Sequence, residues 1–268
     1  MTTRNWKIHP VIATAIAINA GILGLALAWS GDAVRLGRLL TEDGMVEWMQ
    51  FLCFAVISVL LGYAAIDRFR RTGRVSLAVL GLAGLSLLVA LAAGEEISWF
   101  QRVLGVDSPE FFRQNNKQSE TNLHNLALGG ASLHKVVLLK LIFIMGILHN
   151  LVLPLLARTR PALKRFIESL GLYLPPLSAS LVYLLLVLLS HLLIKHERQG
   201  ELGEMFGAVH YLSTVFAAYY LGLGYGGPKV IDGQADGRHA SALFSLSMAF
   251  LLFVGWLLGA GYLRGAAL

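Results

Sequence analysis

The sequence predicts an all-α fold, a polytopic transmembrane helix bundle of about seven spans, and three observations predict it. Hydrophobic residues make up 56% of the 268 and charged residues only 14%, against about 25% charged in soluble domains; mean hydropathy is +0.65. The apolar residues fall in runs near twenty, the length that a helix rising about 1.5 Å per residue needs to cross a hydrocarbon core of about 30 Å. None of the runs alternates in polarity, which excludes the roughly ten-residue strands of a membrane β-barrel. No internal repeat is visible, so a single integral membrane domain over 1–268 is expected.

The spans follow in order. Residues 11–29 form an apolar run of nineteen, longer than the 7 to 15 residues of a signal-peptide core and without a clear small-x-small cleavage site, so they read as a retained first span. A polar connection over 31–44 leads to a second span, 45–66, with Glu47, Trp48 and Gln50 at its entrance. Asp67 to Arg74 is a short loop holding four arginines, and the third span is 75–93. The stretch 105–133 is polar with amphipathic patches, and Ser108-Pro109-Glu110 marks a helix start with proline at its first position. The remaining spans are 135–157, 177–194, 204–223 and 241–263, with Pro175-Pro176 punctuating before the fifth.

The two basic loops, Arg68 to Arg74 and Arg158 to Arg165, fall on the same side as Arg4 and Lys7. Lysine and arginine gather on the cytoplasmic side of short loops, so the N-terminus is expected inside. The net charge of +6 is accounted for by these loops and calls for no nucleic-acid partner. The single cysteine, Cys53, excludes an internal disulfide and a cysteine-based zinc cluster.

This topology collects the polar residues at the outer helix ends. Glu47 and Gln50 open the second span, and Glu95, Glu96 and Ser98 close the third, with Trp99 and Arg102 just beyond. Glu120, Asn122, His124 and Asn125 precede the fourth, and Glu204 and His210 open the sixth. An ionised carboxylate in hydrocarbon costs on the order of 2.5–3.5 kcal/mol, so such groups lie at an edge or face a wet interior. Glu120 and His124, four apart, would share one face of a helix and could hold one cation; a plain hydrogen-bonded pair accounts for the same spacing. Glu95, Trp99 and Arg102 would share a face too, which allows a structural Glu95–Arg102 salt bridge.

Gly94-Glu95-Glu96-Ile97-Ser98-Trp99 with Gln101-Arg102, followed by Asn116, Gln118, Glu120, Asn122, Leu123, His124 and Asn125, resembles a bacterial family of uncharacterised polytopic membrane proteins. The resemblance implies a multi-pass protein of the bacterial inner (cytoplasmic) membrane and no particular activity. The Glu-Glu pair is also similar to the Glu-Glu-x-x-x-Arg motif of intramembrane CAAX-type proteases, but Phe100 stands at the arginine position and Arg102 comes two places late. Alkaline-ceramidase-like hydrolases share the seven-span plan, yet this chain has no His-x-x-x-His and no aspartate within a span.

The functional expectation is a membrane-embedded hydrolase or transferase acting on a lipid or lipid-linked substrate at the outer leaflet of the bilayer. Glu120, His124, His210 and Glu204 would supply ligands to a divalent metal, zinc above others. Glu96, with Glu95 and Ser98, would supply acid, base or nucleophile. The alternatives are a transporter or proton-coupled carrier, in which Glu47, Glu95 and Glu96 line a path, and a non-catalytic scaffold or assembly subunit.

Overall fold

The structure, a computed structural model, describes residues 8–128 and 130–265, with side chains as far as 261; Arg4 and Lys7 lie outside the described residues. The described residues are mostly helical, with one two-stranded hairpin among them. In order come α1 (Pro10–Ala28), α2 (Ala33–Leu40), α3 (Met45–Thr72), α4 (Leu77–Glu96), α5 (Gln101–Leu104) and α6 (Glu110–Asn115). The hairpin strands β1 (Ala127–Leu128) and β2 (Ala131–Ser132) follow, then α7 (Leu139–Ile147), α8 (Leu153–Thr159) and α9 (Pro161–Ser169). Last are α10 (Leu177–Leu193), α11 (Gly200–Tyr219) and α12 (Gln234–Gly265). Two π-helical turns, His134–Leu138 and Leu148–Val152, join α7 and α8 into one stretch.

Among the described residues, five helical stretches are long and apolar enough to cross a membrane: 10–28, 33–72, 77–96, 134–159 and 234–261. α10 is apolar but shorter. Each apolar run of the sequence falls on a helix, while the boundaries differ for local reasons. The expected polar connection 31–44 contains α2, started by Asp32, whose carboxylate accepts from the Val34 and Arg35 amides at 3.1 and 3.0 Å and so caps the helix. The expected arginine loop after residue 66 is instead the last turn and a half of α3. There Asp67 pairs with Arg71 at 2.7 Å, four residues apart on one face. Pro109 precedes α6 as its N-cap residue, one place earlier than the sequence suggests.

The chain forms two compact units, Met1–Met49 with Ser178–Leu268, and Gln50–Leu177. In the first, α11 is the core element: all of its residues from Met205 to Tyr219 except Tyr211 are buried. α1 packs on it, with Asn19 Nδ2 donating to Phe206 O at 3.0 Å. The Phe216 and Phe244 rings stack at 4.0 Å and join α11 to α12. In the second unit, α3 and α4 are joined by reciprocal bonds. Ser58 Oγ donates to Ser86 O at 2.9 Å and Ser86 Oγ to Ser58 O at 2.8 Å, which satisfies both hydroxyls inside an apolar pair. His149 reaches Tyr173 O at 3.0 Å.

Candidate functional site

The richest polar arrangement lies in the second unit, where α4 ends. Helix α4 runs through Glu95 and Glu96 and stops at Ile97. Ser98, Trp99 and Phe100 then take φ of 47°, 57° and 60°, a left-handed turn that costs non-glycine residues about 1–2 kcal/mol each. Such strain persists only where the surroundings over-determine it, and here they do. The Trp99 ring folds back onto Gly94, where a Cβ would lie 2.8 Å from it, so only glycine leaves room. Trp99 Nε1 donates to Glu95 at 3.1 Å, and the Phe100 ring meets Phe51 edge-on at 5.4 Å.

The loop 116–125 closes over this turn. Arg102 donates to one oxygen of Glu120, and Ser98 Oγ donates to the other. Asn122 Nδ2 donates to Ser98 Oγ at 2.8 Å and to Glu120 at 3.3 Å. Asn116 braces the loop from beneath: its Nδ2 donates to Asn122 O and Oδ1, both at 2.9 Å, and its Oδ1 accepts from Gln118 N at 2.8 Å. Gln101 adds a second tie, donating to Ser108 Oγ at 2.6 Å and accepting from Thr121 N at 2.7 Å.

Glu95 carries the other half. One of its oxygens accepts from the amides of Leu123 at 2.6 Å and His124 at 3.1 Å, and the same oxygen lies 3.6 Å from His124 Nδ1. On the far side of the ring, Asn125 Nδ2 stands 3.0 Å from Nε2. An amide nitrogen donates, so Nε2 accepts, and the neutral ring carries its proton on Nδ1 towards Glu95. A histidine oriented by a carboxylate is the arrangement that general-base chemistry uses, and here the lone pair of Nε2 faces the Asn125 amide. Glu95 and His124 are 19% and 25% exposed; Ser98 is 1% exposed.

Two sequence expectations are corrected here. Glu120 and His124 do not lie on a helix: residues 118–125 are loop and turn, because the Asn116 side chain and the Glu95 carboxylate take the amides that a helix would use. Arg102 pairs with Glu120 and not with Glu95, because the left-handed turn breaks the helical register between residues 95 and 102. Glu96 is half-buried at the last position of α4. Gln50 is fully buried in α3.

The other named residues belong to the first unit. Glu47 accepts from the Asp43 amide at the start of α3. His210 stacks on Tyr183 at 4.5 Å, and these two, with Asn19 and Ser213, line a cavity of about 10 Å³, room for about one water. Glu204 lies a turn and a half earlier on α11. Between α10 and α11, Arg198 donates to Glu42 at 2.5 Å. Burial alone would lower the Arg198 pKa, but that bond and the charges of Glu42, Glu201 and Glu47 outweigh it and raise it. Among the described residues, no three His, Cys, Asp or Glu side chains gather as metal ligands would.

Sequence reasoning missed Gln101, Ser108 and Thr121 as the second tie of the loop; nothing in their spacing marks it. It also missed Asn19, which a lone amide inside an apolar run could have flagged. No protein-family model matches the chain, and comparison with curated proteins and with solved structures gives no match.

Proposed function

We propose that the chain is a multi-pass protein of a bacterial inner membrane, crossing seven times with its N-terminus in the cytoplasm, and that it is a hydrolase or transferase acting on a lipid or lipid-linked substrate. The observation that carries the chemistry is the Glu95–His124 pair: a carboxylate braced by Trp99 and two loop amides, 3.6 Å from Nδ1 of a part-exposed histidine. His124 Nε2 is the general base, removing a proton from water or a substrate hydroxyl, and Glu95 stabilises the imidazolium that forms. The Asn125 amide occupies the direction from which that O–H would donate. The sidedness rests on the arginine-rich loops of the sequence.

The test uses the full chain in lipid vesicles, incubated with phosphatidylglycerol, phosphatidylethanolamine and a polyprenyl diphosphate, with products read by mass spectrometry. General-base catalysis contributes about 10²–10⁴-fold, so His124→Ala loses that much turnover and Glu95→Gln a large part of it, with both variants folded. No turnover by the wild type, or turnover unchanged in His124→Ala, overturns the proposal.

Metal content separates this mechanism from one in which Glu120 and His124 share a divalent cation such as zinc. The cation mechanism requires Arg102 to leave Glu120, and it predicts stoichiometric metal that disappears in His124→Ala. One observation favours a second reading. Arg102, Ser98, Asn122 and Asn116 each donate to a partner inside the loop, as they would in a non-catalytic cap of a scaffold subunit. In that case the same substitutions lower stability and no lipid is turned over.

A further inference from the structure

Between Ser98 and Leu128 none of the fully buried residues is apolar. The buried residues of this segment are Ser98, Ser108, Asn116 and Asn122, every one polar. Six large apolar side chains face outward, Trp99 47%, Val103 60%, Leu104 70%, Val106 58%, Phe111 59% and Leu123 53% exposed, among exposed charged ones such as Glu110, Arg113 and Lys117. In water this would leave a wide apolar patch uncovered with polar groups packed beneath it, the opposite of what hydrophobic burial drives. At a membrane interface the same arrangement is favoured, because the apolar side chains reach the acyl chains while the charged ones stay at the head groups.

The chain also holds the segment at the bilayer. It starts two residues beyond the end of α4 and returns to the helical stretch 134–159, and both of these are long and apolar enough to span. Val106 N bonds back to Gln101 O at 3.1 Å, reversing the chain just beyond α5. Glu95 at the end of α4 grips the Leu123 and His124 amides, and Arg102 grips Glu120. Folded on itself by the Val106 and Arg102 contacts and tied to α4 through Glu95, the segment is held at the end of that helix.

We infer that residues 98–128 form a cap immersed in the membrane interface, with Val103, Leu104, Val106 and Phe111 seated against the acyl chains and the occupant of this surface being the lipid bilayer itself. The inference stands whether or not His124 is a base. With the proposed activity it adds the route of approach: a lipid reaches His124 past Leu123 and Trp99 from within the bilayer and never passes through bulk water.

Nitroxide labels test it in the full chain reconstituted in phosphatidylethanolamine and phosphatidylglycerol vesicles. Leu104→Cys and Phe111→Cys are labelled, with Leu88→Cys in the middle of α4 and Arg74→Cys in an exposed loop as references; Cys53 is buried and stays unlabelled in the folded protein. Collisions with oxygen, which dissolves in lipid, and with a water-soluble nickel chelate are measured for each label. The expected oxygen-to-nickel ratio at residues 104 and 111 is several-fold above that at 74 and approaches that at 88, consistent with a depth of about 5–10 Å. A ratio equal to that at 74 places the cap in water and overturns the inference. Shielding from both reagents places it against protein, such as a second copy of the chain, and overturns it as well.

Discussion

The ion pair that closes the loop over the left-handed turn gives the sharpest quantitative expectation. Glu120 and Arg102 side chains are 12% and 17% exposed, so little water screens them, and Glu120 receives three donors, from Arg102, Ser98 and Asn122. Arg102→Met leaves that carboxylate shielded with two neutral donors. Breaking a buried pair from one side costs about 3–5 kcal/mol, whereas removing both charges costs much less. We expect about 3 kcal/mol for Arg102→Met, the lower end because neither group is fully enclosed. A comparable loss is expected for Glu120→Ala, which strands the guanidinium. Arg102→Met/Glu120→Gln should be less destabilised than the sum of its parts, by a coupling within the 0.5–3 kcal/mol range of contacting residues. Cys53 supplies the assay, since it is the sole cysteine, 0% exposed, and lies in the same unit. Its rate of labelling by a maleimide along a denaturant series reports opening of that unit directly. Single variants within about 0.5 kcal/mol of the wild type, the usual range for unconstrained surface substitutions, together with an additive double variant would refute the argument. The pair would then be solvated, and something else would hold the loop.

Other expectations concern single positions. Gly94→Ala puts a methyl 2.8 Å from the Trp99 ring and should cost about 1–3 kcal/mol by overpacking in the same thiol assay. Gly84→Ala, which meets nothing within 4 Å, should be neutral or stabilising by up to about 1 kcal/mol. Glu42→Gln breaks a pair whose side chains are 35% and 30% exposed, so thermal melting in detergent should register a loss of about 1 kcal/mol or less; a larger loss means the pair is better shielded than its exposure indicates. Asn19→Leu removes a buried Oδ1 that has no hydrogen-bond partner together with the Nδ2 bond to Phe206, and replacing polar atoms by an apolar group of similar shape is near neutral. A melt lowered as far as that of Asn19→Ala would show that the amide matters beyond its shape.

The helices were legible because a bilayer-length apolar run has few other ways to satisfy its backbone. Local interactions set the boundaries and were less legible. Arg71 extends α3 past residue 66 through its bond to Asp67, and Asp32 starts α2 inside what composition marks as a connection. The polar cluster at the end of α4 was legible in part of its membership and illegible in pairing, and Glu47, Glu204 and His210, expected beside it, belong to the other unit. Glu95, Ser98, Arg102, Glu120, Asn122 and His124 do assemble, but the sequence assigns Arg102 to Glu95 and sets Glu120 and His124 on a common helix face. Both errors have one source. Helical spacing arguments assume a continuous right-handed helix, and neither Ile97-Ser98-Trp99-Phe100 nor Asn116-Lys117-Gln118-Ser119 contains a glycine or proline to warn that it stops.

That interruption explains the geometry of the whole arrangement. Had α4 continued in a right-handed sense to Arg102, residues 95, 99 and 102 would lie in a row and the guanidinium would neutralise the carboxylate nearest to it. Three residues at positive φ reverse the winding instead. Trp99 comes back over Gly94 with its indole N–H on Glu95, and Arg102 is carried away to Glu120. Glu95 is therefore left with neutral donors and can approach His124, while Glu120 takes the charged partner. Two carboxylates 25 residues apart are thus given different work by one turn: Glu120 is bound into the scaffold and Glu95 is kept beside a histidine. The geometry of the turn, at a cost of about 1–2 kcal/mol per residue, keeps the arginine away from the carboxylate that the proposed chemistry needs.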